Sequence, residues 1–248
     1  MRRFFFLFLF ASLAFADEAS VQFEQANQLY RNGDMKNAAI RYEQILSSGY
    51  ENAALYFNLG NASFKTKNLS AAILNYERAH RLAPGDEDVA YNLRLANLRV
   101  IDKIDPIPTI FLVDWWRGFV NFFSADRWSV NAVALLWLVV LSWGILLLIR
   151  SFVLRRILFL AGTLALGISI VSFIAMTQRL RVEATEQQAI IFAQSASVKS
   201  APDAQSTDLF VIHEGLKVDL LDTVGDWKKI RLADGKVGWL KAEEMNVI

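Results

Sequence analysis

From residue 19 to about residue 100, apolar residues recur at helical spacing, and the pattern returns on itself after 34 residues. The stretch 53–86 shows the unit most completely, with Tyr56, Leu59, Gly60, Ala72, Tyr76 and Pro84 in step. The stretch 19–52 carries its second half in Gly33-Asp34, Ala38, Tyr42 and Leu46, with Gln25 and Ala26 standing where the later unit has Leu59 and Gly60. A third start, AYNLRLANL at 90–98, keeps Leu93 in phase and then stops, so 87–100 reads as a capping helix. A glycine inside a helix costs roughly 1 kcal/mol against alanine. Gly60 therefore predicts a close approach by its sister helix, with Ala72 as the other small residue of the contact.

The pattern changes at DKIDPIPTIF (102–111), where two of the four prolines end the helical array. Residues 111–128 mix apolar residues with charges and gather Trp115, Trp116 and Trp128, which predicts a segment lying at a lipid–water boundary. Two charge-free runs follow, Val130 to Ile149 and Ile157 to Met176. Each spans about 30 Å as a helix, one hydrocarbon core. The reading is a transmembrane helix at 129–149, a loop at 150–156 and a second transmembrane helix at 157–177. Arg150, Arg155 and Arg156 place that loop in the cytoplasm, although Arg117, Arg127, Arg179 and Arg181 on the outer flanks dilute the bias. Neither run carries an ionisable residue, so they read as anchors rather than a conduction path. Gly162, Gly167, Ser169 and Ser172 supply small surfaces for helix packing.

From residue 187 the period shortens again. AIIFAQ, LFVIHEG, LKVDLLD, WKKIRL and VGWLK are alternating or β-branched runs between turns, and Asp234-Gly235 marks a tight hairpin. Five or six short strands over 187–248 predict a small closed barrel.

Composition narrows the function. The chain is 54% hydrophobic, in keeping with segments in lipid. Arg2 and Arg3, an apolar run and Ala14-Phe15-Ala16 make residues 1–16 a secretory signal, with an uncleaved anchor as the alternative. Export agrees with the loop charges. Together they predict a two-pass protein of the inner, cytoplasmic membrane with both soluble parts on the periplasmic side. A net charge of +1 gives no field for nucleic acid. With no cysteine and only His80 and His213, thiolate zinc sites, disulfides and a cysteine nucleophile are excluded. No nucleophile–base pair, metal spacing or phosphate loop is present, so no enzyme activity, metal or cofactor is expected.

The 34-residue unit resembles the tetratricopeptide repeat, whose pattern W-x2-L-G-x2-Y…A-x3-F…P is met with Tyr56 and Tyr76 in place of Trp and Phe and Ser63 in place of Tyr. The resemblance implies stacked antiparallel helix pairs and a groove lined by Phe23, Phe57 and Tyr91, by Asn27 and Asn61, and by Arg31 and Lys65. Those residues would grip a protein segment, or else the aromatics pack between helices and the rest are a solvated face. Residues 187–248 are similar to bacterial SH3 domains, on Ser197–Pro202, Leu209-Phe210, His213–Val218, Gly225–Ile230 and Asp234–Leu240. There Trp227 and Trp239 either face a ligand such as peptidoglycan or pack the barrel, and His213 precedes a turn. The expected fold class is multidomain α + β: a tetratricopeptide array, a two-helix transmembrane hairpin and an SH3-like β-barrel.

That order resembles the BatE-type family of tetratricopeptide proteins of the Bat aerotolerance operon. The resemblance implies a non-enzymatic, membrane-anchored scaffold linked to aerotolerance or stress tolerance. Its partners would be membrane lipid and other Bat-operon membrane proteins, some with von Willebrand-type domains, and an associated MoxR-type ATPase. The alternative is a cell-wall-binding sensor with the SH3-like domain as receptor. RSFVLRR is too short for a cytoplasmic output domain, which weighs against solo signalling.

Overall fold

A computed structural model describes residues 18–185 and 187–248; the expected secretory signal lies outside the described residues. The chain divides into two compact units, one of the residues up to Ile107 together with Gln187–Ile248, the other of Pro108–Glu186.

The first unit begins with α1 (18–31), α2 (Met35–Ser47), α3 (Ala53–Lys65), α4 (Leu69–Leu82) and α5 (Glu87–Asn97). Its turns repeat atom for atom. Gly33 and Lys67 take positive φ, +83° and +65°. Behind each, an N–H reaches back five residues, Asp34 to Leu29 O at 3.0 Å and Asn68 to Ser63 O at 2.9 Å. This satisfies the last carbonyls of α1 and α3. The same Asp34 and Asn68 side chains then accept from Asn37 N–H and Ala71 N–H, capping α2 and α4. Asn52 and Asp86 cap α3 and α5 in the same way. Each cap contributes about 1 kcal/mol.

Gly60 is buried, and a Cβ there would lie 2.7 Å from Cδ1 and Cε1 of Tyr76. The close approach is real, but its partner is the Tyr76 ring rather than Ala72. A flat ring needs the whole space of the missing side chain, while Ala72 has only a methyl to place.

Seven antiparallel strands complete this unit: β1 (Gln187–Ile191), β2 (Ser195–Lys199), β3 (Asp208–His213), β4 (Lys217–Val224), β5 (Trp227–Arg231), β6 (Val237–Lys241) and β7 (Met245–Val247). Their order is β3-β2-β6-β5-β4-β1-β7, so β3 and β7 are edges and the sheet is not closed. The expected closed barrel is corrected here. β7 escaped the sequence reading, and it adds outside β1 instead of meeting β3. Arg78 and Arg81 of α4 donate to the carbonyls of Val247 and Ile248 at 2.7 and 2.9 Å, tying that edge to the helices.

Helices and sheet share one core. Ile73, Ala96 and Val100 are buried in the same cluster as Ile190, Ile191, Leu216 and Ile230. Gly215, at φ +83°, brings its backbone against them; a Cβ there would sit 3.1 Å from Ile73 Cδ1 and 3.2 Å from Val100 Cγ2. Around this apolar seam Lys217 pairs with Glu77 at 2.8 Å. Asp102 accepts from the His213 N–H at 2.6 Å and faces its Nδ1 at 3.0 Å.

The second unit holds α6 (Phe111–Val120), α7 (Ala125–Leu146) and α8 (Phe152–Thr185). Helices α7 and α8 are long and apolar enough to cross a membrane. Their bounds shift from the expected 129–149 and 157–177, because Ser124 caps α7 early and α8 continues through Arg179. Ser142 Oγ donates to Leu158 O at 3.1 Å and Ser169 Oγ to Ala132 O at 2.9 Å. A Cβ on Gly162 would lie 2.3 Å from Trp143 Nε1, whereas Gly167 has no such neighbour within 4 Å. Of the two glycines expected at the helix contact, only Gly162 serves it. The boundary segment is a short helix folded onto this pair: Trp116 Nε1 donates to Gln178 Oε1 at 2.7 Å, and Trp128 Nε1 donates to Val120 O at 2.9 Å.

Candidate functional site: the repeated face of the helical array

The residues expected to line the groove fall on one repeated face of α1, α3 and α5, and the repeat sets their environment. Phe23 meets Tyr42 at 5.9 Å between ring centroids, and Phe57 meets Tyr76 at 6.0 Å, both tilted. Tyr42 donates its hydroxyl to Asn27 Oδ1 at 2.7 Å, and Tyr76 donates to Asn61 Oδ1 at 2.8 Å. A second amide closes each set: Asn58 Nδ2 donates to Asn27 Oδ1 at 2.9 Å, and Asn92 Nδ2 to Asn61 Oδ1 at 2.8 Å. Every member recurs after 34 residues.

Each asparagine carbonyl therefore serves three helices at once. Asn27 on α1 ties Tyr42 on α2 to Asn58 on α3, and Asn61 on α3 ties Tyr76 on α4 to Asn92 on α5. Burial of the tyrosine rings gives these bonds their weight, because a buried hydroxyl without a partner costs about 1–3 kcal/mol. Burial also pushes the Tyr42 hydroxyl pKa up to about 12. It raises that of Tyr76 as well. Asn27 and Asn61 thus spend their acceptor oxygens inside the array. Asn58 and Asn92 were missed from the sequence, though the shift of 34 that pairs Asn27 with Asn61 pairs them too.

The other candidates lie further out. Arg31 is exposed and pairs with Glu24 at 2.5 Å, which holds the Glu24 carboxyl below its usual range. Lys65 is exposed at the end of α3. Tyr91 is 60% exposed, because no second helix follows α5 to supply a ring like those of Tyr42 and Tyr76.

In the sheet, Trp227 lies opposite Lys241 and Trp239 opposite Lys229 on the paired strands β5 and β6. They alternate with Ile230 and Leu240, which are fully buried, so the two tryptophans face away from that core. Both are half-buried, and the Lys229 ammonium sits 5.9 Å from the Trp239 ring centroid. His213 is tied to Asp102 within the same unit.

No curated protein matches the chain. Residues 53–86 match the tetratricopeptide repeat family, the stretch that holds Gly60, Asn61 and Tyr76. The match supports a role in protein–protein interaction.

Proposed function

We propose that this chain is a membrane-anchored scaffold of the bacterial cell envelope, which presents the repeated face of its helices to a protein partner. The match of 53–86 to the tetratricopeptide repeat carries the reading. The two apolar helices, α7 and α8, supply the anchor. The apolar run of residues 1–16 and the arginines between the spans argue for helices and sheet on the periplasmic side. The order of its parts suggests a place in a Bat-type complex linked to aerotolerance or stress tolerance, with other membrane proteins of that operon as partners.

Orientation is testable without background, since the chain has no cysteine. Single cysteines at 65 and 222 are expected to react with an impermeant maleimide added to spheroplasts, and one at 152 to stay protected. Reaction at 152 alone overturns the orientation. For the partner, Asn27 and Asn61 are the wrong residues to change, because they hold the array together. Exposed residues keep the fold: combined Arg31→Glu, Lys65→Glu and Tyr91→Ala should abolish in vivo cross-linking to the partner. Unchanged cross-linking sinks the groove reading.

A second reading is supported by the outward face of Trp227 and Trp239: the sheet as a receptor for peptidoglycan. The full chain in detergent should then sediment with purified peptidoglycan, and Trp239→Ala should release it. A chain that stays in solution leaves the scaffold reading alone.

A further inference from the structure

Helix α5 is apolar on two sides. Val89, Ala96 and Val100 are buried. The opposite side carries Tyr91, Arg94, Leu95, Leu98 and Arg99, spaced i, i+3, i+4, i+7 and i+8, which is one continuous stripe. Tyr91 is 60% exposed, Leu95 38% and Leu98 73%. A helix in water with a second apolar stripe is built for a neighbour.

The array itself says what kind of neighbour. In the first two repeats the positions matching Tyr91 and Leu95 are covered by a tyrosine, whose hydroxyl goes to Asn27 or Asn61. In α5 that asparagine is replaced by Leu95, which can accept no hydroxyl. Arg94 stands where Ala26 and Gly60 make room for the tyrosine ring. So α5 is not waiting for another helix of the array's own type. It presents leucine and tyrosine flanked by cations. Arg99 also continues a basic position, since Arg31, Lys65 and Arg99 follow one another at 34 residues. Its guanidinium lies over the Phe64 ring at 4.3 Å. Among the described residues, neither Lys65, Arg94 nor Arg99 has a carboxylate partner.

We propose that this stripe of α5 is the docking surface for an acidic, amphipathic segment of a partner protein. The segment's apolar side chains cover Tyr91, Leu95 and Leu98, and its carboxylates meet Arg94 and Arg99. The proposal rests on the scaffold reading and adds the chemistry of the partner at this one helix.

The test places a photo-reactive phenylalanine at Leu98 in the full chain, in its own membrane, and sequences the cross-linked peptide. The expected adduct is a peptide of another protein with Asp or Glu flanking apolar residues at helical spacing. Its yield should fall about tenfold in the Arg94→Glu/Arg99→Glu variant, and several-fold on raising salt from about 0.1 to about 0.5 M, where screening shortens to a few ångströms. Both arginines are exposed, so the thermal melt of that variant should not move. Leu95→Asp with the photo-reactive group kept at 98 gives an independent route to the same loss. An adduct with α5 of a second copy, with lipid, or with a segment poor in acids overturns the proposal, and so does no adduct. A parallel photo-reactive residue at Lys65 separates the two readings. Adducts at 65 with none at 98 leave the scaffold standing and remove the α5 surface; none at either removes both.

Discussion

Both the helical repeats and the α7–α8 pair set an aromatic ring on a glycine, yet the two rings are held differently. Tyr76 lies on Gly60 almost fully buried, braced by Phe57 and bonded through its hydroxyl to Asn61. Trp143 lies on Gly162 while still 38% exposed, stacked only on Phe159. Under the anchoring proposed above, the first contact forms in water and the second in lipid. In water, burying an aromatic ring is itself the driving force. In lipid the surroundings are as apolar as the ring, so small residues and hydrogen bonds to backbone must do the work, here Ser142 and Ser169. The same sequence device, a glycine under a ring, should then carry different energies in the two places.

The largest test of that difference is Gly60→Val. Its Cβ would meet a ring that cannot move without breaking the bond to Asn61, so we expect a loss of about 3 kcal/mol, the upper part of the range for overpacking. Urea unfolding of the full chain in detergent, followed by circular dichroism, measures it. In a Tyr76→Ala background the same substitution should cost almost nothing extra. A cost that survives there would mean that the glycine is needed for backbone reasons and not for the ring.

Next comes alkaline pH, which acts on the tyrosines of the array but on no ring of the hairpin contact. Burial raises the Tyr42 hydroxyl to about 12, and that of Tyr76 rises too. The unfolded value is about 10. A raised pKa means that the folded chain keeps a proton which the unfolded chain gives up. The contribution is whole below pH 10 and is lost as pH rises through about 12. For Tyr42, half-open to solvent by this measure, that is about 2 kcal/mol. Urea midpoints between pH 8 and 11.5 should fall, and fall less in Tyr42→Phe/Tyr76→Phe. An equal slope in the double variant would place the alkaline sensitivity elsewhere.

Part of this was legible in the sequence, and the boundary has a physical cause. The period of 34, the turn at Gly33-Asp34 and the room at Gly60 are local or periodic, so spacing alone reveals them. Asn27 and Asn61 were legible as repeated positions but not as ties, because a hydrogen-bonding residue on a helix face looks the same whether it meets a partner or a buried Tyr42 or Tyr76. The second repeat of that pairing, Asn58 with Asn92, was the available signal. The shared core of helices and sheet left no trace at all. Ile73 and Val100 meet Gly215 across more than a hundred residues, and each looks like an ordinary apolar position of its own element. Strand β7 was hidden for a related reason: three residues, Met245–Val247, are too short to show alternation, and their edge is completed by arginines of α4.

The hairpin should respond more weakly. Gly162→Val pushes on a Trp143 ring with open space beside it, so about 1 kcal/mol is expected, the lower end of the overpacking range. It would be read from the SDS unfolding midpoint, with the urea behaviour of the helical array unchanged. A loss as large as that of Gly60→Val would break the contrast, since it would mean that the tryptophan is as tightly confined as the tyrosine.

The smallest effect expected is also the most discriminating. Ser169 is buried and donates to Ala132 O at 2.9 Å, a bond that crosses from α8 to α7. In a soluble core, its removal would count only as one hydrogen bond lost from a contact already held by apolar burial. In lipid it is among the few interactions between these helices with no equivalent once they separate, but the Ala132 carbonyl keeps its own helical bond in either state. Ser169→Ala should therefore cost about 0.6 kcal/mol, the typical value for interhelical hydrogen bonds in membranes. The SDS midpoint of the single variant and of Ser142→Ala/Ser169→Ala decides it. Additive losses of this size fit two independent polar ties in an apolar surround. A collapse of the hairpin on losing Ser169 alone would mean that the pair is held mainly by that bond, and that ring and glycine at 143 and 162 contribute little.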